Sequence, residues 1–263
     1  VSRLGDAFAA RPGRTGLIPF LTAGYPSLDA TGEMLLGLAP LGVTAVELGV
    51  PFSDPIADGP DIQRSSEWAV GRGVGLRDVL GLVADVRRHS DLPIVAMTYL
   101  NPVARLGIEA FAAEAAASGL DGVLVSDLPA DESPETWQAL DRSGLDTILL
   151  VAPTTPEARL PVVLARARGF LYCLARTGVT GSGGGYAGSL PDRIADLRGR
   201  THLPVAVGFG IATAADAAAL RGVANAVVVG AAFMRTIARD PLHGATQRVL
   251  ELAGTLERAL QPD

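Results

Sequence analysis

A chain of 263 residues with 48% hydrophobic and 19% charged residues has apolar material for one large core or two small ones, which excludes intrinsic disorder. Its 22 basic residues are all arginine, so no lysine amine is present to form a Schiff base with a carbonyl substrate or to hold pyridoxal phosphate as an internal aldimine. The net charge of -6, with the arginines scattered along the chain, argues against a nucleic-acid partner.

In chain order, an amphipathic helix is predicted over Ser2 to Ala10, followed by short β-branched runs bounded by Gly, Pro and Asp. These predict strands at Leu17 to Thr22, Ala45 to Val50, Pro93 to Tyr99, Gly122 to Asp127, Thr147 to Ala152, Phe170 to Ala175, Pro204 to Phe209 and Ala226 to Gly230. Between them lie helical stretches such as Ile108 to Ser118, Ser133 to Arg142, Pro156 to Ala167 and Ala214 to Arg221, and a last helix is predicted from Gly244 to Leu260. Regular alternation implies parallel strands with helical crossovers, and eight such units in this length fit one closed (β/α)8 barrel over residues 1–263, with the first helix as an addition. An open doubly wound sheet is the alternative; it would usually carry GxGxxG after its first strand, where Thr22-Ala23-Gly24-Tyr25-Pro26 stands instead.

Cys173 stands alone, and His89, His202 and His243 are far apart, so neither a disulfide nor a metal site is expected. No apolar run reaches the roughly 18 residues of a spanning helix, and the start lacks a signal-peptide core, which leads to the expectation of a cytoplasmic protein.

The connections after the second and sixth strands are long: Pro51 to Ser65, and Arg176 to Leu190 with Gly183, Gly184 and Gly185 in succession. In a barrel both lie at the C-terminal mouth, and the glycine-rich one has the character of a lid. Glu47 interrupts an apolar strand on the same parity as Ala45 and Gly49. If that face points inward, a desolvated carboxyl group suited to acid/base work stands near the mouth; the other reading is a structural glutamate paired with an arginine. Asp54 and Asp58 follow in the loop, where each alone would be an ordinary turn former. Glycines close the sixth, seventh and eighth strands (Gly178 and Gly181, Gly208 and Gly210, Gly230), which is where barrels place a phosphate. Phe20, Met97, Leu124, Leu150, Tyr172 and Phe209 fall near strand ends and either wall an apolar pocket or fill the barrel.

With PFLTAGYP, ELGVPFSDPIADGP, MTYLNPV, DGVLVSDLP, RTGVTG and VGFGI in this order, the chain resembles the alpha subunit of tryptophan synthase along essentially its whole length. The resemblance implies a (β/α)8 TIM barrel that cleaves indole-3-glycerol phosphate to indole and glyceraldehyde 3-phosphate and passes indole to a beta subunit, with no lysine, cofactor or metal of its own. It implies Glu47 as general acid/base, Asp58 as acceptor of the indole N–H, and Thr180 on the lid ordering Asp58. Thr22, Tyr99 and Tyr172 join the pocket, and Gly181, Gly210, Gly230 and the backbone of Ala231 bind phosphate. Ala231 departs from the serine common there, and the lid SGGGYAGSLP is unusually rich in glycine. Asp54, Pro55, Asn101 and Pro129 lie in segments that face the beta subunit. A lyase releasing free indole, a non-catalytic barrel that only activates a beta subunit, and another phosphate-handling barrel such as a sugar-phosphate isomerase remain as alternatives.

Overall fold

The computed structural model describes residues 2–175, 189–208 and 210–261. Its strands are β1 (Gly16–Thr22), β2 (Val46–Gly49), β3 (Ile94–Thr98), β4 (Gly122–Val125), β5 (Asp146–Thr147), β6 (Leu149–Val151), β7 (Leu171–Leu174), β8 (Val205–Gly208) and β9 (Ala226–Val229). All pair in parallel, in the order β5-β4-β3-β2-β1-β9-β8-β7-β6. The two ends of that order are consecutive pieces of chain separated only by Ile148, so the sheet returns on itself as a barrel.

The fifth predicted strand, Thr147 to Ala152, is therefore two pieces. Asp146–Thr147 bonds to β4 and Leu149–Val151 to β7, with Ile148 N–H donating to the Val123 carbonyl at 3.0 Å between them. One short segment has to serve two neighbours in turn at the closure, which is why no ladder runs its full length.

Alternation along the strands sorts side chains into two cores. Ile18, Ala45, Val95, Leu124, Ile148, Phe170, Tyr172, Ala206, Ala226 and Val228 fill the barrel interior, while the opposite parity packs against the helices. The first helix (Arg3–Ala9), capped by the Ser2 hydroxyl, plugs the N-terminal end of the barrel: Leu4 is fully buried in the interior cluster and the Phe8 ring lies 5.7 Å from that of Phe170. Asp121 fastens this end. Its carboxylate accepts from Arg3 at 2.7 Å, from Arg87 at 2.8 Å and from the Ile94 N–H at 2.8 Å.

Helices Ile108–Ser118, Pro134–Ser143 and Ala245–Leu260 fall close to their predicted spans. Two expectations need correction. The connection after β2 is shorter than predicted, because a helix already begins at Pro60 (Pro60–Val70); the proline occupies the first turn, where its missing N–H costs nothing. Pro156 to Ala167 is a 3-10 turn (Glu157–Arg159) followed by a short helix, Leu160–Arg166. The lid glycines Gly183, Gly184 and Gly185 lie outside the described residues. Among the described residues no helix is long and apolar enough to cross a membrane.

Candidate active site

Because Ala45 belongs to the barrel interior, alternation sends Glu47 inward two residues later, toward the C-terminal mouth. It is 2% exposed, and Oε1 is buried without a hydrogen-bond partner among the described residues. An ionised carboxylate there lacks solvation, and the nearby Asp58 charge adds repulsion, so the group holds its proton up to about pH 8.

Asp58 reaches the same cavity from the loop between β2 and the Pro60–Val70 helix. That loop is tied down on both sides: Phe52 N–H donates to the Ser66 hydroxyl at 2.8 Å, and Gln63 donates to the Asp58 carbonyl at 2.9 Å. The Tyr99 hydroxyl donates to Asp58 Oδ2 at 2.9 Å while accepting from the Ala57 N–H at 3.0 Å. Asp58 Oδ1 is buried and has no hydrogen-bond partner among the described residues. Burial raises the Asp58 pKa to about 6, and the Tyr99 hydrogen bond pulls the other way. Around neutral pH the site thus pairs a protonated Glu47 with an ionised Asp58.

The cavity has a volume of about 180 Å³. Phe20, Met97, Ile62, Ile211, Val228 and Tyr172 supply apolar surface, and Gly210, Gly230 and Ala231 also line it. Tyr172 is buried, and burial together with the Glu47 and Asp58 charges pushes its phenol well above the ordinary range. Two glycines make room for these rings. A Cβ at Gly208 would fall 2.0 Å from the Tyr172 hydroxyl oxygen, and one at Gly49 would fall 2.5 Å from the Phe20 ring. The helix Ala231–Ala238 begins at the cavity, and its first N–H groups, which have no intrahelical acceptor, are not capped by a side chain at Gly230.

Of the residues named from sequence, Glu47, Asp58, Phe20, Met97, Tyr172, Gly210, Gly230 and Ala231 line this cavity. Thr22 and Tyr99 line an adjoining recess. Leu124 does not line the cavity; it fills the barrel interior and is 1% exposed. Leu150, on the strand that closes the barrel, lines a separate cavity with Ser126, Asp127, Pro129 and Arg159. Thr180, Gly181 and Phe209 lie outside the described residues. Sequence reasoning missed Asp61, Ile62, Ile211, Val228 and Arg235. The parity of Val228 with Ala226 would have found that residue, and the four-residue step from Ala231 to Arg235 on one helix would have found the other. No group of three or more His, Cys, Asp or Glu side chains that could hold a metal occurs among the described residues.

Residues 7–261 match the family model for the tryptophan synthase alpha chain. The tryptophan synthase alpha chain of Chromobacterium violaceum is 45% identical over 262 residues, covering 99% of this chain and 100% of that protein. That of Geobacter sulfurreducens is 43% identical over 262 residues, covering 99% of both. Among solved structures, the alpha subunit from Legionella pneumophila superposes with a TM-score of 0.88 at 32% identity, over 99% of this chain and 98% of that one. A chain of the Pyrococcus furiosus tryptophan synthase a2b2 complex, described for its mutual activation, does so at 0.81 and 39%, over 92% and 97%. With a family match over residues 7–261, 45% identity to a relative over 99% of its own length and a matching barrel, the chain belongs to the tryptophan synthase alpha chain family.

Proposed function

We propose that this chain is a carbon-carbon lyase that cleaves indole-3-glycerol phosphate into indole and glyceraldehyde 3-phosphate, with Glu47 and Asp58 as its catalytic groups. The observation that carries the assignment is Glu47: a carboxyl group 2% exposed, its Oε1 without a partner among the described residues, lining a cavity of about 180 Å³ with largely apolar walls. As an acid at neutral pH it protonates the third ring carbon, giving an indolenine whose positive charge lies at the ring nitrogen. Asp58 accepts the hydrogen bond of that N–H and stabilises the charge. The Glu47 carboxylate so formed takes the proton of the hydroxyl on the adjacent side-chain carbon. The carbon-carbon bond then breaks, its electron pair returning to the ring as the aldehyde forms, and Glu47 is again protonated. Every step is proton transfer and charge stabilisation, which suits a chain without lysine.

Gly210, Gly230 and the Ala231 backbone would receive the phosphate, joined by Gly181, while Thr180 would order Asp58 from the lid. A beta subunit is the proposed partner, docking on the mouth through Asp54, Pro55, Asn101 and Pro129. Asp54 and Asn101 are exposed, and Ile56, next to Pro55 in the chain, is 84% exposed. We read the protein as one cytoplasmic barrel domain.

The test is cleavage of indole-3-glycerol phosphate by wild type and Glu47→Gln, by single-turnover kinetics beside a binding titration, with and without a beta subunit. The variant should bind substrate and lose about two to four orders of magnitude in the chemical step. Activity within a few fold of wild type removes Glu47 from the mechanism. Full wild-type activity that no beta subunit changes identifies a stand-alone lyase, and no cleavage in either setting leaves a non-catalytic barrel or a different phosphate-handling enzyme.

A further inference from the structure

The lining of the active-site cavity has an imbalance of charge. Asp58 and Asp61 contribute carboxylates beside the protonated Glu47, and among the described lining residues Arg235 is the only cation. A phosphate dianion brought into such surroundings needs a positive partner, and backbone N–H groups at Gly230 and Ala231 supply only partial charge. Ala231 has no side-chain donor to add.

Arg235 stands four residues after Ala231 on the helix Ala231–Ala238, one turn along the same face. Helical side chains lean toward the N-terminus, which directs its guanidinium back over the turn that opens on the cavity. There its Nη1 donates to Asp61 Oδ2 at 2.7 Å, and the Arg235 side chain is 49% exposed. The other Asp61 oxygen is bonded by Arg64. Asp61 therefore keeps a cationic partner if Arg235 swings away.

We propose that Arg235 grips the phosphate end of the substrate, transferring its guanidinium from Asp61 to the phosphate oxygens while Arg64 holds Asp61. The proposal rests on the lyase reading and adds a binding residue to it. Arg235 is remote from the breaking bond, so its contribution falls on substrate affinity and leaves the chemistry to Glu47 and Asp58.

Glycerol 3-phosphate serves as the probe for the phosphate end and indole as the probe for the other, in calorimetric titrations of the full chain. Arg235→Gln should weaken glycerol 3-phosphate binding about tenfold to a hundredfold, with indole affinity held within twofold and the loss in cleavage appearing in KM rather than kcat. Arg235→Lys, which keeps the charge and loses the fork, should fall between. Asp61→Asn is the decisive second variant. It releases Arg235 and should tighten glycerol 3-phosphate several fold, whereas a purely structural Arg235–Asp61 pair requires both substitutions to weaken binding alike. Equal glycerol 3-phosphate affinity in wild type and Arg235→Gln, or weakening in Asp61→Asn, overturns the proposal in a protein whose wild type still cleaves indole-3-glycerol phosphate. Failure of wild type to cleave that substrate at all, by contrast, counts against the lyase reading itself.

Discussion

Glu47 retains a proton at neutral pH because the barrel wall removes its water and offers one oxygen nothing in return. The same circumstance makes it destabilising as pH rises. In the unfolded chain the group ionises near its ordinary 4.5, but in the folded one only near 8, so across that window the folded state binds more protons than the unfolded. Stability must then fall with rising pH between these values and level off above 8. Glu47→Gln, with nothing to ionise, should lose this slope. Relative to wild type it should gain on the order of 2–4 kcal/mol between pH 5 and pH 8, read from urea denaturation at the two pH values. Parallel wild-type and variant curves would show that Glu47 ionises normally. The inward direction of Glu47 is legible in the sequence, since a two-residue period places it with Ala45 and Gly49. The elevation of Asp58 and its bond to Tyr99 are not, because a loop residue and a strand end 41 positions apart meet only through tertiary structure.

At the scale of elements, each strand end is shaped by what its neighbour must contain. Gly208 closes β8 beside Tyr172 on β7, and the hydroxyl occupies the space a side chain at 208 would take. Gly208→Ala should push the Tyr172 ring off its position, costing about 1–3 kcal/mol in stability and lowering kcat/KM by tenfold or more. Adding Tyr172→Phe should recover part of the lost stability, because the shortest clash is with the hydroxyl oxygen. A thermal-denaturation cycle of the single and double variants measures that coupling, and additive losses would mean the contact is relieved elsewhere. A glycine at this strand end reads from sequence as a turn or a phosphate-contacting backbone; its role in admitting a phenol on the adjacent strand needs the register. Likewise the helix beginning at Pro60 hides in a polar run, since Asp61, Gln63 and Arg64 resemble loop composition until the burial of Ser65, Ser66 and Ala69 gives them a face.

For the molecule as a whole, the alternation of strand and helix favours a barrel over an open doubly wound sheet from the sequence, whereas its closure through a split strand does not appear in any local pattern. The end opposite the active site depends on Asp121, 6% exposed and bonded to two arginines and a backbone amide from three separate parts of the chain. Asp121→Ala would leave Arg87 largely buried without its anion and should cost about 3–5 kcal/mol, visible as a lowered urea midpoint with an unchanged slope. A loss below about 1 kcal/mol would class the cluster with surface ion pairs.

The plug at that end also sets an order of events during synthesis. Ser2 waits for Asp146, Arg3 for Asp121, and Phe8 for Phe170, while β1 itself lacks one of its two neighbours until β9 has left the ribosome. Residues 2–8 are thus made before the partners they pack against, and loop closures spanning much of the chain stand between a nascent half-barrel and its finished form. Until then β1 presents an unpaired edge of apolar residues, the kind of surface on which a chaperone binds or a second nascent chain pairs.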